Sequence, residues 1–277
     1  MEDANLEQVT LDGTSVHRLR SEQIGQDYLL NVGLPPGYDP AGAPYPVVYV
    51  TDGGAQFTAL HSVTPMMQMT GELTPFITVG ISYDVPHAIH AMTLRNRDLT
   101  HCEGSLDLGA ETPDWMKQLP QVEPGGAEHF LSFLNDQVKP YVQEQFNASS
   151  NSTYAGFSLG GLFGLFTLFS KPKSFQRYVI GSPSIWWGDK NILLLESAYA
   201  KEHDDLPATI YMSSGRLEEP IEAPDKSAMV SNMTNLASTL GSRGYQNLNL
   251  FHQIIDDETH MSCAPLAILR GVRKVFG

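Results

Sequence analysis

Cysteine is scarce in this chain: its 277 residues contain two, Cys102 and Cys263. A pair cannot build a disulfide framework, and two small buried thiols are the expected outcome. Basic residues are also few. Lys and Arg number 17 against 31 Asp and Glu, a formal net charge of −14 at pH 7. No basic cluster is available to neutralise a phosphate backbone, so nucleic acid is a poor candidate partner. A strongly anionic substrate would need a local basic pocket. Long hydrophobic runs are missing as well. The longest nearly apolar stretch, Leu159 to Phe169, is too short to span a bilayer and reads as a buried helix, so no membrane partner is expected. Met1-Glu2-Asp3-Ala4 is acidic and polar, unlike a signal peptide. The expected location is therefore cytoplasmic, or periplasmic or secreted if a leader was removed before this numbering. Internal repeats and low-complexity tracts are absent too.

What is present is a core-forming chain. Hydrophobic residues make up 42% and charged residues 17%, which excludes a disordered or charge-driven polypeptide. Val16 to Leu34 alternates loosely and ends at Pro35-Pro36-Gly37-Tyr38, the pattern of antiparallel strands closed by a turn. Pro46 to Thr51 and Phe76 to Tyr83 are continuous apolar runs, which belong to a sheet covered on both faces. From Asp84 to Pro124 periodicity disappears and Gly, Pro, Asp and Glu accumulate. Ala127 to Phe146 has helical spacing, with Pro140 expected to kink it or mark a boundary. Strands at Ser152–Phe157, Tyr178–Gly181, Thr209–Ser213 and Leu248–Ile255 then alternate with helices at Leu159–Ser170, Ala228–Leu240 and Ser262–Val275. This order predicts an α/β fold, a mostly parallel central sheet with helices on both faces and an antiparallel N-terminal edge. We expect a single domain over residues 1–277. Residues 84–125 would be an excursion serving as lid or substrate wall, or equally a solvent loop anchored by Trp115.

The informative stretch is Tyr154-Ala155-Gly156-Phe157-Ser158-Leu159-Gly160-Gly161. It contains G-x-S-x-G between a strand and a helix, the context that gives this motif meaning in a chain with many glycines. A serine in that tight turn is thrust to the sheet's C-terminal edge. The helix beyond it offers unpaired N–H groups and a positive dipole end, which suit an oxyanion forming beside Ser158. A serine hydroxyl needs an adjacent base, itself oriented by a third group. His260 follows the last strand directly, with only a C-terminal helix remaining, and is the candidate base. For the acid, Glu218 just past Thr209–Ser213 fits best. Glu219 is a rival, Asp256 or Asp257 are others, and backbone carbonyls alone are a further way to orient His260. Oxyanion donors are expected from the N–H groups of Leu159 and of Gly54, in the loop Asp52-Gly53-Gly54-Ala55.

With these residues in place the chain resembles the putative-esterase branch of the α/β-hydrolases, which includes the enterobactin-trilactone (ferric siderophore) esterases, esterase D and the mycolyltransferases. The resemblance runs from about Val16 to the C-terminus. It rests on Leu34-Pro35-Pro36-Gly37-Tyr38, Val50-Thr51-Asp52-Gly53, Arg95-Asn96-Arg97-Asp98-Leu99-Thr100, Gly156-Phe157-Ser158-Leu159-Gly160-Gly161, Ser182-Pro183-Ser184-Ile185-Trp186-Trp187 and His260. It implies the α/β-hydrolase fold and a serine carboxylic-ester hydrolase with a small-molecule ester substrate and no metal or organic cofactor. By position it places the nucleophile on Ser158, the base on His260 and the acid on Glu218, although some siderophore esterases are described as working with a Ser–His pair. Trp186, Trp187, Arg95 and Arg216 would hold an anionic aromatic substrate. Arg97 reads first as a structural ion pair with Asp98. A siderophore trilactone esterase and an acyltransferase on the same triad are the alternatives.

Weaker signals favour structural roles. His87, His90 and His101 lack a third ligand in register for a metal site. Met66, Met67 and Met69 would suit an acyl pocket, but core packing is the better expectation.

Overall fold

Continuous apolar strands need cover on both faces, and the inner strands of the sheet in the computed structural model have it. Residues 10–86, 88–104, 122–219 and 227–276 are described. Among them, eight strands form one sheet in the order β1-β2-β4-β3-β5-β6-β7-β8. β1 (Thr14–Ser21) and β2 (Gln26–Gly33) pair as an antiparallel hairpin, and β2 runs antiparallel to β4 (Ile77–Tyr83). β3 (Tyr45–Val50), β5 (Ala148–Phe157), β6 (Arg177–Gly181), β7 (Ala208–Gly215) and β8 (Leu248–Ile255) continue the sheet in parallel.

Period-two geometry explains why the inner strands β3, β4 and β6 carry apolar residues at consecutive positions. Val47 and Tyr49 of β3 face one core together with Tyr154 and Tyr178, while Val48 and Val50 face another with Ala155 and Val179. The second core is closed by Ala267, Ile268 and Val272 of the C-terminal helix. The chain leaves β3 toward β4 on one side and leaves β5 toward β6 on the other. The carboxyl ends of β3 and β5 therefore flank a topological switch point, where open α/β sheets bind ligands. Asp52-Gly53-Gly54 and Ser158 both lie there.

Helices α1 (Ala55–His61) and α2 (Thr64–Met69) follow β3, and α3 (Ala88–Asp98) follows β4. The last corrects the expectation of an aperiodic excursion from Asp84. α3 carries no clean apolar stripe because ion pairs anchor its C-terminal end: Asp98, only 1% exposed, takes the Arg97 guanidinium at 2.6 Å and the Tyr28 hydroxyl at 2.6 Å. Residues 105–121, including Trp115 and Met116, lie outside the described residues. The methionine reading also needs correction. Met67 packs against the second core as expected, but Met66 and Met69 are 60% and 65% exposed and do not fill it. Both cysteines are free thiols, with Cys263 buried. Among the described residues no helix is long and apolar enough to cross a membrane.

Pro140 acts as its chemistry demands. α4 (Ala127–Phe133) passes through a π turn at Leu134–Val138 into α5 (Lys139–Gln145), so the missing N–H and the ring are accommodated without breaking the rod. Lys139, beside that turn, donates to Asn135 Oδ1 at 2.8 Å and to the Ser174 carbonyl, and stands 3.7 Å above the Phe175 ring centroid. Burial pushes its ammonium down from an ordinary 10.5 to about 7. Between those values the unfolded chain binds more protons than the folded one, so stability rises with pH in that window. The cost of the buried charge is fully present below pH 7 and fades as the folded amine deprotonates. Urea midpoints of wild type and Lys139→Met, taken between about pH 6.5 and pH 9.5, should therefore converge or cross in the wild type's favour as pH rises. Parallel curves would refute the assignment.

Among the described residues, the remaining helices longer than two turns are α6 (Leu159–Ser170), α7 (Ile192–Glu202), α8 (Met229–Ser242) and α9 (His260–Phe276).

Candidate active site

Ser158 sits between β5 and α6 at φ 60°, ψ −118°, a conformation that an L-residue holds only when its surroundings over-determine it. They do here. Its N–H donates to the Gly181 carbonyl at 2.9 Å, and its own carbonyl accepts from the N–H groups of Leu162 at 3.0 Å and Ser184 at 3.1 Å. The flanking glycines are required by close approach. A Cβ on Gly160 would lie 2.6 Å from Thr51 Oγ1, and one on Gly156 would run into the Gly160 carbonyl. The N–H of Leu159 belongs to the first turn of α6, where the helix itself supplies no acceptor.

His260 opens α9, and Glu218 closes the 3-10 turn Arg216–Glu218 that follows β7. Their side chains meet, His260 Nδ1 lying 2.6 Å from Glu218 Oε2. The other oxygen, Oε1, accepts from Ser182 Oγ at 2.6 Å and from the Gly215 N–H at 2.6 Å, so the buried carboxylate has one orientation. A carboxylate can only accept, which puts the proton on Nδ1 and leaves Nε2 able to accept one. The Phe157 ring packs on the imidazole with centroids 4.8 Å apart. The rival acids are occupied elsewhere or stand away. Glu219 accepts from the N–H and hydroxyl of Ser231 at 2.6 and 2.5 Å, and Asp256 pairs with Arg216 at 3.1 Å. Asp257 occupies the loop before His260 at φ 62°.

Ser158, Leu159, Glu218 and His260 line one cavity of about 350 Å³, together with Ser184 and Trp186. Among the described residues no hydrogen bond joins Ser158 to His260; the serine hydroxyl lies 3.3 Å from Ser184 Oγ. Gly54 instead lines an adjacent cavity of about 230 Å³, and Arg95 lines both. Its guanidinium grips Asp52 through two bonds of 2.8 and 2.9 Å and reaches the Phe157 carbonyl at 3.5 Å. Burial opposes the Arg95 charge, but Asp52 more than compensates and holds its pKa above the ordinary value.

The expected aromatic and basic contacts divide. Trp186 and Arg95 stand at the cavity. Trp187 does not: it is 1% exposed and its indole N–H donates to the Cys102 carbonyl at 3.1 Å, a core anchor. Arg216 points to solvent in its pair with Asp256 and lines neither cavity. Ser182 and Ser184 went unassigned in the sequence reading. Their signal was position, since both follow the C-terminal end of β6, the edge on which Ser158 stands. Among the described residues no group of three His, Cys, Asp or Glu side chains is arranged to hold a metal ion; His87 lies outside them.

Comparison with known proteins places this geometry in a family. The model of the family described as "Putative esterase" matches residues 21–251. The ferri-bacillibactin esterase BesA of Bacillus subtilis is 30% identical over 270 residues, covering 95% of this chain and 90% of that protein. The siderophore triacetylfusarinine C esterase of Aspergillus fumigatus is 28% identical over 277 residues, covering 91% of this chain and 89% of that protein. Among solved structures, the BES protein from Bacillus cereus superposes with a TM-score of 0.82 at 27% identity, covering 99% of this chain and 100% of that one. A single sheet with this strand order, an elbow serine at its switch point and these relatives lead to one assignment: the chain belongs to the Putative esterase family and is an esterase of the α/β-hydrolase fold.

Proposed function

We propose that this esterase is a serine carboxylic-ester hydrolase working through an acyl-enzyme on Ser158. The contact between His260 and the buried Glu218, on the wall of the cavity that holds Ser158, carries the reading. His260 Nε2 takes the Ser158 proton as Oγ adds to the ester carbonyl, and the oxyanion is met by the N–H groups of Leu159 and Gly54. Collapse breaks the bond to the alkoxy oxygen, which leaves with the proton from His260. Water then gives its proton to the same nitrogen and attacks the acyl carbon; the bond to Ser158 Oγ breaks, that oxygen takes the proton back from His260, and the acid is released. The Ser158 hydroxyl must swing from Ser184 toward His260 for the first step, the kind of contact that tightens only when substrate is bound.

A siderophore ester is the second reading, favoured by the names of the two curated relatives and by Trp186 on the cavity wall. Hydrolysis of nitrophenyl esters from acetate to decanoate, with a catecholate trilactone alongside, separates the two. Trilactone cleaved with a far higher kcat/KM than any nitrophenyl ester is the outcome expected of a siderophore esterase. Trilactone left intact beside rapid nitrophenyl turnover would reduce the function to general ester hydrolysis. Acyl transfer to an added alcohol in preference to water would make the protein an acyltransferase. Silence on every ester would overturn the proposal.

A further inference from the structure

The structure has an adjacent cavity that the serine, histidine and glutamate do not touch. We propose that the 230 Å³ space lined by Gly54, Ser82, Tyr83, Ala91, Met92 and Arg95 receives the acyl half of the ester, and that it takes an uncharged acyl group of about the size of one ring. The inference rests on the hydrolase reading above and specifies its substrate.

Chemistry assigns the two cavities. The departing alcohol must leave beside the histidine that protonates it, and His260 lines the larger cavity. An oxyanion held between the N–H groups of Leu159 and Gly54 places the carbonyl carbon where the two spaces adjoin, since Leu159 lines one and Gly54 the other. The substituent that stays on the carbonyl must then point away from His260, into the space beyond Gly54. The wall there is a single helix face, because Ala91, Met92 and Arg95 are spaced at i, i+1 and i+4 on α3. The opposite rim is held in place by Asn31, whose amide donates to the Gly53 carbonyl at 3.3 Å and to Ser82 Oγ at 3.1 Å.

Charge and size restrict the occupant. Asp52 and Arg95 neutralise one another at 2.8 Å, so the cavity offers no net charge to a carboxylate or phosphate. Tyr83 stays protonated, its hydroxyl pushed well above the ordinary range first by burial and then by Asp98. A dry cavity of about 150 Å³ admits benzene; this one, at about 230 Å³, has room for a benzoyl or short alkanoyl group, while the end of an extended decanoyl chain would project into solvent. A methionine does line an acyl pocket on this reading, but it is Met92 on α3, not Met66, Met67 or Met69.

The test varies one half of the ester at a time. In nitrophenyl esters the acyl group runs from acetyl through hexanoyl and benzoyl to decanoyl; in alkyl acetates the alcohol runs from methanol to octanol. Met92→Trp, at a residue already 37% exposed, fills the space without entering the core. It should lower the hexanoate-to-acetate ratio of kcat/KM by about tenfold or more, and Met92→Ala should move the optimum toward longer acyl groups. Ratios within the alkyl acetate series should hold in both variants. Acyl ratios unchanged in both variants, or changes confined to the alcohol series, would overturn the inference. Titration with benzamide reads the cavity without any chemistry: affinity at least tenfold weaker in Met92→Trp supports it, and equal affinity overturns it. Wild type that cleaves no ester would sink the hydrolase reading, and the benzamide result would still decide the cavity.

Discussion

Ser158→Ala is expected to lower kcat for ester hydrolysis by about four to six orders of magnitude, the loss seen when a serine nucleophile is removed from a working triad. The neighbouring hydroxyl, Ser184 Oγ at 3.3 Å, follows β6 and does not stand at the N-terminus of α6, where the helix N–H groups face Ser158. The fold should persist, because alanine has the same backbone strain to bear and the bonds to Gly181, Leu162 and Ser184 are made by main-chain atoms. A glycine at this position separates strain from chemistry. Ser158 holds φ 60°, where a Cβ costs about 1–3 kcal/mol. Ser158→Gly should therefore be as inactive as the alanine variant yet unfold at higher urea than either alanine or wild type. Steady-state hydrolysis and urea midpoints on the three proteins check both halves. Alanine-variant activity within tenfold of wild type would remove Ser158 from the mechanism. Glycine and alanine variants of equal stability would mean that the elbow stores no strain.

The strands were legible because the physics that specifies them is local. Residues 47–50 and 152–157 are buried on both faces, so 47–50 reads as an unbroken apolar run although its side chains divide between two cores. The elbow was legible through its glycines: the one at 156 is demanded by the Gly160 backbone within the turn itself, and the one at 160 by the Thr51 side chain just past β3. Long-range pairing left no such trace. Arg95 reads as an available cation in the sequence, yet it is committed to Asp52, 43 residues away. That pair also explains why α3 was missed, since ion pairs there replace the apolar stripe that reveals a helix. Neighbouring identical residues were the other blind spot. Glu218 and Glu219, or Trp186 and Trp187, differ only in which way the backbone aims them. The 3-10 turn after β7 points Glu218 inward at His260 and leaves Glu219 to Ser231. Trp187 enters the core and Trp186 stays at the cavity. One residue of rotation decides each case, and composition does not encode it.

Glu218→Gln should cost about 10⁴-fold in kcat, as amide replacement of the buried acid does in other serine hydrolases, and the reason is visible atom by atom. Oε1 accepts from the Gly215 N–H and from Ser182 Oγ, while Oε2 accepts from His260 Nδ1. A glutamine has one accepting oxygen. Placing its NH₂ toward Gly215 would set two donors face to face, and the main-chain N–H cannot turn away as the Ser182 hydroxyl can. The amide oxygen must therefore face Gly215, and the NH₂ must face His260 Nδ1. Nδ1 then has to accept, the imidazole proton moves to Nε2, and the nitrogen required to take the Ser158 proton already carries one. Shape and volume are conserved, so KM should move far less than kcat. Glu219→Gln supplies the control, with turnover within about twofold of wild type, since its carboxylate serves Ser231. Nitrogen chemical shifts of His260 should report the exchanged tautomer in Glu218→Gln alone. Should that variant keep more than a tenth of wild-type kcat with its tautomer unchanged, the histidine would be oriented by backbone carbonyls, and Ser158 and His260 would work as a pair without an acid.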